Sequence, residues 1–159
     1  MTGYIQEDID PAELVRRTAV ARELADDVRA LVAATVVTDV DDDAVVEVRR
    51  HLAAARSILE TKRIDGAFGV RFNSDGTKRA WGNAVVGERN PIAPPVDLEH
   101  DGERAWSEFE LGPQYEGPAG LVHGGVIALI LDQVLGSAAE HAGVPGMTGT
   151  LTCLLYTSD

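Results

Sequence analysis

The chain is poor in cysteine and in basic residues, and each shortage removes a class of function. One cysteine, Cys153, stands in 159 residues. It cannot form an intramolecular disulfide framework, and without a CxxC pair there is no pattern for a structural zinc site. Lys and Arg number 14 against 26 Asp and Glu, for a net charge of −12. From Gly66 onward the basic residues are Arg71, Lys78, Arg79, Arg89 and Arg104 alone. Binding to a phosphate backbone or an anionic membrane surface needs clustered Lys and Arg, so neither nucleic acid nor membrane is an expected partner. No run reaches the length and apolarity of a membrane span, and the acidic start MTGYIQEDIDPAE lacks the apolar centre of a signal peptide. The expected compartment is cytoplasmic. GxSxG, P-loop and GxGxxG motifs are also absent, which removes support for serine-hydrolase, NTPase and Rossmann readings.

What is present is an ordinary globular composition, 45% hydrophobic and 25% charged, enough for one domain with an appendage. Residues 1–65 read as a helical hairpin. Asp10-Pro11-Ala12-Glu13 is a helix start, with Asp10 as N-cap, Pro11 at the first helical position and Glu13 completing a capping box. Leu14, Ala21, Leu24, Val28, Leu31 and Val32 then form an apolar stripe to about Thr35. A second helix follows the acidic turn Asp39 to Asp43, with Val45, Val48, Leu52, Ala55 and Ile58 to Leu59 on one face. The Asp41-Asp42-Asp43 run reads as a helix start, since an EF-hand loop needs a glycine and a late glutamate that are missing. Two such helices cannot bury both stripes alone. They are expected to pack on the domain that follows, the alternative being the same element of another copy.

Residues 66–104 read as an irregular connector. Within it, Gly69 to Phe72 and Thr77 to Trp81 suggest a hairpin about Asp75-Gly76, and Asn90 to Pro95 (NPIAPP) suggests a rigid, extended segment laid over a surface. Residues 105–159 carry the period-two pattern of a strand from Arg104 to Leu111, a Gly/Pro turn, a helix from about Gly124 to Ala142, and a Thr/Leu-rich strand from Met147 to Tyr156. The helix is apolar nearly all round, and its only charge before Glu140 is Asp132. Such a helix must be enclosed, and an antiparallel sheet curved about it is an economical way to do so. Two strands are too few, so the sheet is expected to be completed by further strands of a longer protein or by another chain.

These residues carry a family likeness. EGPAGLVHGGVIALILDQVLG followed by GMTGTLT resembles the hotdog-fold acyl-CoA thioesterases of the PaaI type, in the branch with an EGPxGxVHGG turn and an N-terminal helical extension. NPIAPP resembles the connector that precedes the first hotdog strand in that branch, so the likeness spans residues 89–152. The implied fold class is α+β, a hotdog fold that is incomplete here. Two departures stand out. Relatives continue with a Tyr-x-Arg-Pro-like segment and further strands, whereas this chain gives Cys153 to Asp159, and some relatives carry an Asn shortly before HGG where this chain has Glu116-Gly117-Pro118. The first departure implies a chain truncated at its C-terminus.

The resemblance implies hydrolysis of an acyl-CoA to free acid and coenzyme A. Asp132 would act as general base on water or as the nucleophile, and the backbone N–H groups of Gly124 and Gly125, at the positive end of the helix, would polarise the carbonyl. Thr148 would help to position the water. For His123, substrate positioning and a turn-stabilising hydrogen bond weigh equally. Glu116 is a weaker candidate for function, and His51, His100 and His141 read as surface residues. The family's site lies at a dimer interface, which implies a homodimer or homotetramer, and no metal or redox cofactor is expected, coenzyme A being part of the substrate. The rival reading is a non-catalytic acyl-CoA-binding or regulatory hotdog module.

Overall fold

A computed structural model describes residues 4–66, 69–102 and 104–154. The chain runs as a short strand β1 (Tyr4–Gln6), two helices α1 (Pro11–Val37) and α2 (Asp42–Glu60), four short strands, and a third helix. The strands are β2 (Val70–Phe72), β3 (Lys78–Arg79), β4 (Glu99–His100) and β5 (Ala105–Trp106), and the last helix is α3 (Gly124–His141).

Asp10 begins α1 as its spacing predicts, its carboxylate accepting the N–H groups of Ala12 and Glu13. Glu13 does not close the reciprocal half of a capping box. Its carboxylate is taken by Arg16 and Arg17, each at 2.7 Å one turn ahead. The middle of α1 lies on the 88–97 segment: Ala25 is buried, Arg22 bridges Glu88 and Asp97, and the Arg29 Nε–H donates to the Ala93 carbonyl at 3.0 Å. Asp41 caps α2 through the Ala44 N–H. That helix differs from expectation, because its apolar stripe, including Val45, Val48, Leu52 and Leu59, stays exposed and none of its residues is buried. Of the two helices, α1 alone buries a residue against the following chain.

The hairpin at 69–81 forms, with Arg71 opposite Arg79 and Phe72 opposite Lys78. Gly76 takes φ +88° and its N–H closes the turn on the Asn73 carbonyl, the left-handed conformation a glycine supplies without strain. No pattern in the sequence announces β1, which pairs parallel with β2 from Tyr4–Val70 to Gln6–Phe72. A loop-closing network holds that pairing. The Asp8 carboxylate accepts the Ser74 N–H and hydroxyl, and Asn73 exchanges hydrogen bonds with Ile9.

The connector is part of the core. Trp81, Val85, Ala93 and Val96, four of the six buried apolar residues, belong to it. Side-chain amides hold its backbone: Asn83 Oδ1 accepts the N–H groups of Val85 and Val86, and Asn90 Nδ2 donates to the carbonyls of Gly82 and Asn83. Asn90 to Pro95 is ordered but turned. The Ala93 N–H reaches back to Asn90 and the Val96 N–H to Pro94, so proline stiffness here serves two tight turns in place of an extended segment.

The predicted strand 104–111 pairs only at Ala105–Trp106, antiparallel to β4 through a turn at Asp101-Gly102. Met147 to Leu154, the described part of the second predicted strand, makes no ladder, and Met147 is 98% exposed; residues 155 and 156 of that prediction lie outside the described residues. A ladder needs a partner edge, and none of the described residues offers one to this segment. In consequence α3 is covered on one side only. Val126, Ile130 and Val134, spaced four apart, face Val85, Val96, Leu98 and Leu111, while Ile127, Leu131 and Leu135 form an exposed ridge along the next sector of the helix.

Candidate active site

The segment Glu116 to Gly125 folds back on itself before α3 begins. Glu116 and Val122 form an antiparallel bridge, the Gly117 N–H donates to the Leu121 carbonyl at 2.8 Å, and the His123 N–H to Tyr115 at 2.9 Å. Two glycines have specific reasons. Gly120 takes φ +76°, and Gly117 lies so close to His123 that a Cβ would stand 2.8 Å from the His123 Cα. Glu116 has a role in the turn, its carboxylate accepting the Gly120 N–H at 2.8 Å. The EGPxG half of the motif is thus the brace that aims the HGG half.

His123 is the N-cap of α3, and its Nδ1 accepts the Gly125 N–H at 3.0 Å. An accepting Nδ1 places the proton of a neutral ring on Nε2. The turn-stabilising hydrogen bond, one of the two roles weighed for His123, is present. It also occupies one of the two glycine N–H groups expected to face a substrate oxygen. Gly125 donates inside the turn, leaving Gly124 at the first helical position as the donor without an intrahelical acceptor.

Gly125, Ala128, Leu129 and Asp132 recur at the i, i+3, i+4, i+7 spacing that stacks side chains on one helix face. That face is one wall of an open cavity of about 460 Å³, whose other wall is Thr148 to Leu151. Gly125, Asp132 and Thr148 are therefore brought together, while Gly124 and His123 lie outside the lining. Leu129, Gly149, Thr150 and Leu151 are lining residues that the sequence alone did not single out; helical spacing from Asp132 would have found Leu129. Asp132 is half-buried and has no hydrogen-bond or ion-pair partner among the described residues. A carboxylate so placed is open to a ligand instead of being spent on structure. Among the described residues no group of three or more His, Cys, Asp or Glu is placed to hold a metal ion.

The geometry has a solved counterpart. A crystal structure of a thioesterase superfamily protein superposes with a TM-score of 0.71 at 33% sequence identity, covering 83% of this chain and 69% of that one. The chain belongs to the thioesterase superfamily. Its fold class is accordingly α+β of the hotdog type, with α3 as the central helix. No family model matches the chain, and no curated protein does. Thioester hydrolysis is the general chemistry that membership of the thioesterase superfamily supports. No described helix is long and apolar enough to cross a membrane.

Proposed function

We propose that this thioesterase-superfamily chain is an acyl-CoA thioesterase of the PaaI type, with Asp132 as its general base or nucleophile. The observation that carries the reading is the single cavity lined by Gly125, Asp132 and Thr148, with a carboxylate that no described residue occupies. In the general-base route Asp132 takes a proton from water held with Thr148. The hydroxide attacks the thioester carbon, the oxyanion collapses, the C–S bond breaks, and the thiolate of coenzyme A takes up the proton. In the nucleophilic route the Asp132 carboxylate attacks the thioester carbon and expels the coenzyme A thiolate, and water then hydrolyses the mixed anhydride to the free acid and the regenerated carboxylate, the released proton going to the thiolate. Neither route calls on a metal or redox cofactor.

Helix geometry constrains the rest of the site. Gly124, the donor left without an intrahelical acceptor, and Asp132 are eight residues apart, which at about 1.5 Å per residue is about 12 Å along the axis. A carbonyl oxygen must lie about 3 Å from its donor, and the attacking water must lie equally close to its base. That separation agrees with the site shared between two copies that the resemblance to the PaaI-type thioesterases implies, in a homodimer or a homotetramer built from such pairs. The exposed Ile127, Leu131 and Leu135 ridge fits that assembly.

A second reading, an acyl-CoA-binding module without turnover, draws on the His123 bond that occupies the Gly125 N–H. Release of free thiol from a panel of short, medium and aromatic acyl-CoAs separates the two. The purified protein is expected to cleave part of the panel, and Asp132→Asn to lower kcat by about 10²- to 10⁴-fold, the usual contribution of a general base. Equilibrium binding without thiol release, or full rate in Asp132→Asn, would overturn the thioesterase reading.

A further inference from the structure

Helix α2 is a 19-residue element that the described chain leaves uncovered: every residue of it is exposed except Ala44, which is half-buried. Val45, Val48, Leu52, Ala55 and Leu59 recur at alternating steps of three and four, the seam of a coiled coil, and all five are exposed. A helix in a protein draws most of its stability from packing such a face. Charge is divided along α2 as sharply as polarity is divided around it. Asp41, Asp42 and Asp43 stand at its start, and Lys62 and Arg63 just beyond its end. Between them Glu47 is met by Arg50 at 2.6 Å and Arg56 by Glu60 at 3.9 Å, so these four charges are answered within the helix. Asp42, Asp43, Lys62 and Arg63 have no ion-pair partner among the described residues.

We infer that α2 docks on the α2 of a second copy of this chain, antiparallel across a twofold axis. With Leu52 laid against the partner's Ala55, Val48 meets the partner's Leu59, and the symmetry repeats both contacts. In that register Asp42 and Asp43 come within about one helical turn of the partner's Lys62 and Arg63. Arg49 comes near the partner's Arg56, whose charge Glu60 already meets. A parallel pair would instead set acid against acid at one end and base against base at the other. Two copies of net charge −12 repel at large, so a local match of opposite charges is what selects this face and this order. No residue of α2 lines the Asp132 cavity, and the contact stands or falls apart from the thioesterase reading.

The test is cross-linking of the full chain by a short bis-maleimide, in a Cys153→Ser background carrying either Val48→Cys or Leu59→Cys. A mixture of the two variants is expected to give a cross-linked dimer. Either variant alone is expected to give little, because its two cysteines would lie about 16 Å apart along the axis. Leu52→Glu, added to both, is expected to lower the yield at least about tenfold; the position is exposed, so far-UV circular dichroism should stay unchanged. Lys62→Glu together with Arg63→Glu turns the end contacts repulsive and is expected to lower the yield about fivefold. The proposal fails if the mixture gives no cross-linked dimer, or if a folded Leu52→Glu protein cross-links as well as its parent. Efficient cross-linking of each variant alone would mean a parallel pair, and an undiminished yield in Lys62→Glu/Arg63→Glu would remove the charge match; either overturns it. Slow maleimide labelling of Val48→Cys in a protein that sediments as a monomer would place the stripe against its own chain and overturn it as well.

Discussion

Glu13 shows how a single exposed carboxylate in this molecule responds to pH. Its hydrogen bonds from Arg16 first, and from Arg17 second, hold its pKa down at about 2 from an ordinary 4.5. A depressed folded pKa means that the stabilisation is fully present above about pH 4.5 and is lost as the pH falls toward 2. Comparing Glu13→Gln with wild type, the difference in Tm is expected at pH 6, to shrink below pH 4.5, and to be gone by about pH 2. Because the group is on the surface, added salt should also reduce it. His123 carries a second prediction. His123→Ala removes the acceptor of the Gly125 N–H and is expected to cost about 1 kcal/mol, as loss of an N-cap does. Its kcat should fall much less than that of Asp132→Asn, since the substitution frees a donor at the helix start; a kcat loss equal to that of Asp132→Asn would give the imidazole a direct part in the chemistry. At this scale Asp132 was legible because a lone charge in an apolar helix contradicts its surroundings. The His123 to Gly125 bond was not, because a glycine-rich turn is compatible with several ring positions.

Elements with local causes were readable in advance. Caps and spacing gave α1 and α2 almost to their ends, and Asp75-Gly76 gave the hairpin, because each signal acts over a few residues. The connector escaped for the opposite reason. Its order comes from Asn83 and Asn90 binding backbone groups several residues away, and its burial from α3, some forty residues later, neither of which leaves a period. The strands at 107–111 and 147–154 show the converse: alternation prepares a strand, but a partner edge makes it one. The turn before α3 offers a test at this scale. Gly117→Ala would set a methyl 2.8 Å from the His123 Cα, a backbone atom that cannot swing aside. We expect a loss of about 1–3 kcal/mol, as for overpacking, together with reduced thioester hydrolysis because residues 123–125 must shift. Gly120→Ala meets no neighbour and pays only for its positive φ, so it should affect stability more than rate. A Gly117→Ala protein with unchanged Tm and rate would show that the brace does not control the turn.

For the molecule as a whole, the three sectors of α3 have different neighbours. Val126, Ile130 and Val134 meet the core, Gly125, Leu129 and Asp132 face the cavity, and Ile127, Leu131 and Leu135 stay exposed. Hydrophobicity all round the helix announced enclosure without saying which sector meets which neighbour, and the shared site rests on the family resemblance together with the axial distance between Gly124 and Asp132. That distance makes the assembly testable without knowing the substrate's acyl group. Wild-type protein is expected to sediment as a dimer or a multiple of one, and Leu131→Glu, which puts a charge in the middle of the exposed ridge, to dissociate it and abolish turnover. Asp132→Asn and Gly124→Val should each be inactive alone, one lacking the base and the other the close approach to the carbonyl. In a twofold-symmetric shared site, unfolding and refolding them together pairs one defect of each kind in half of the dimers. Both defects of such a heterodimer fall in one site and leave the other intact, so about one quarter of the wild-type rate should return. If base and donor belonged instead to the same chain, every site of the mixture would keep one defect, and refolding the variants together would restore nothing.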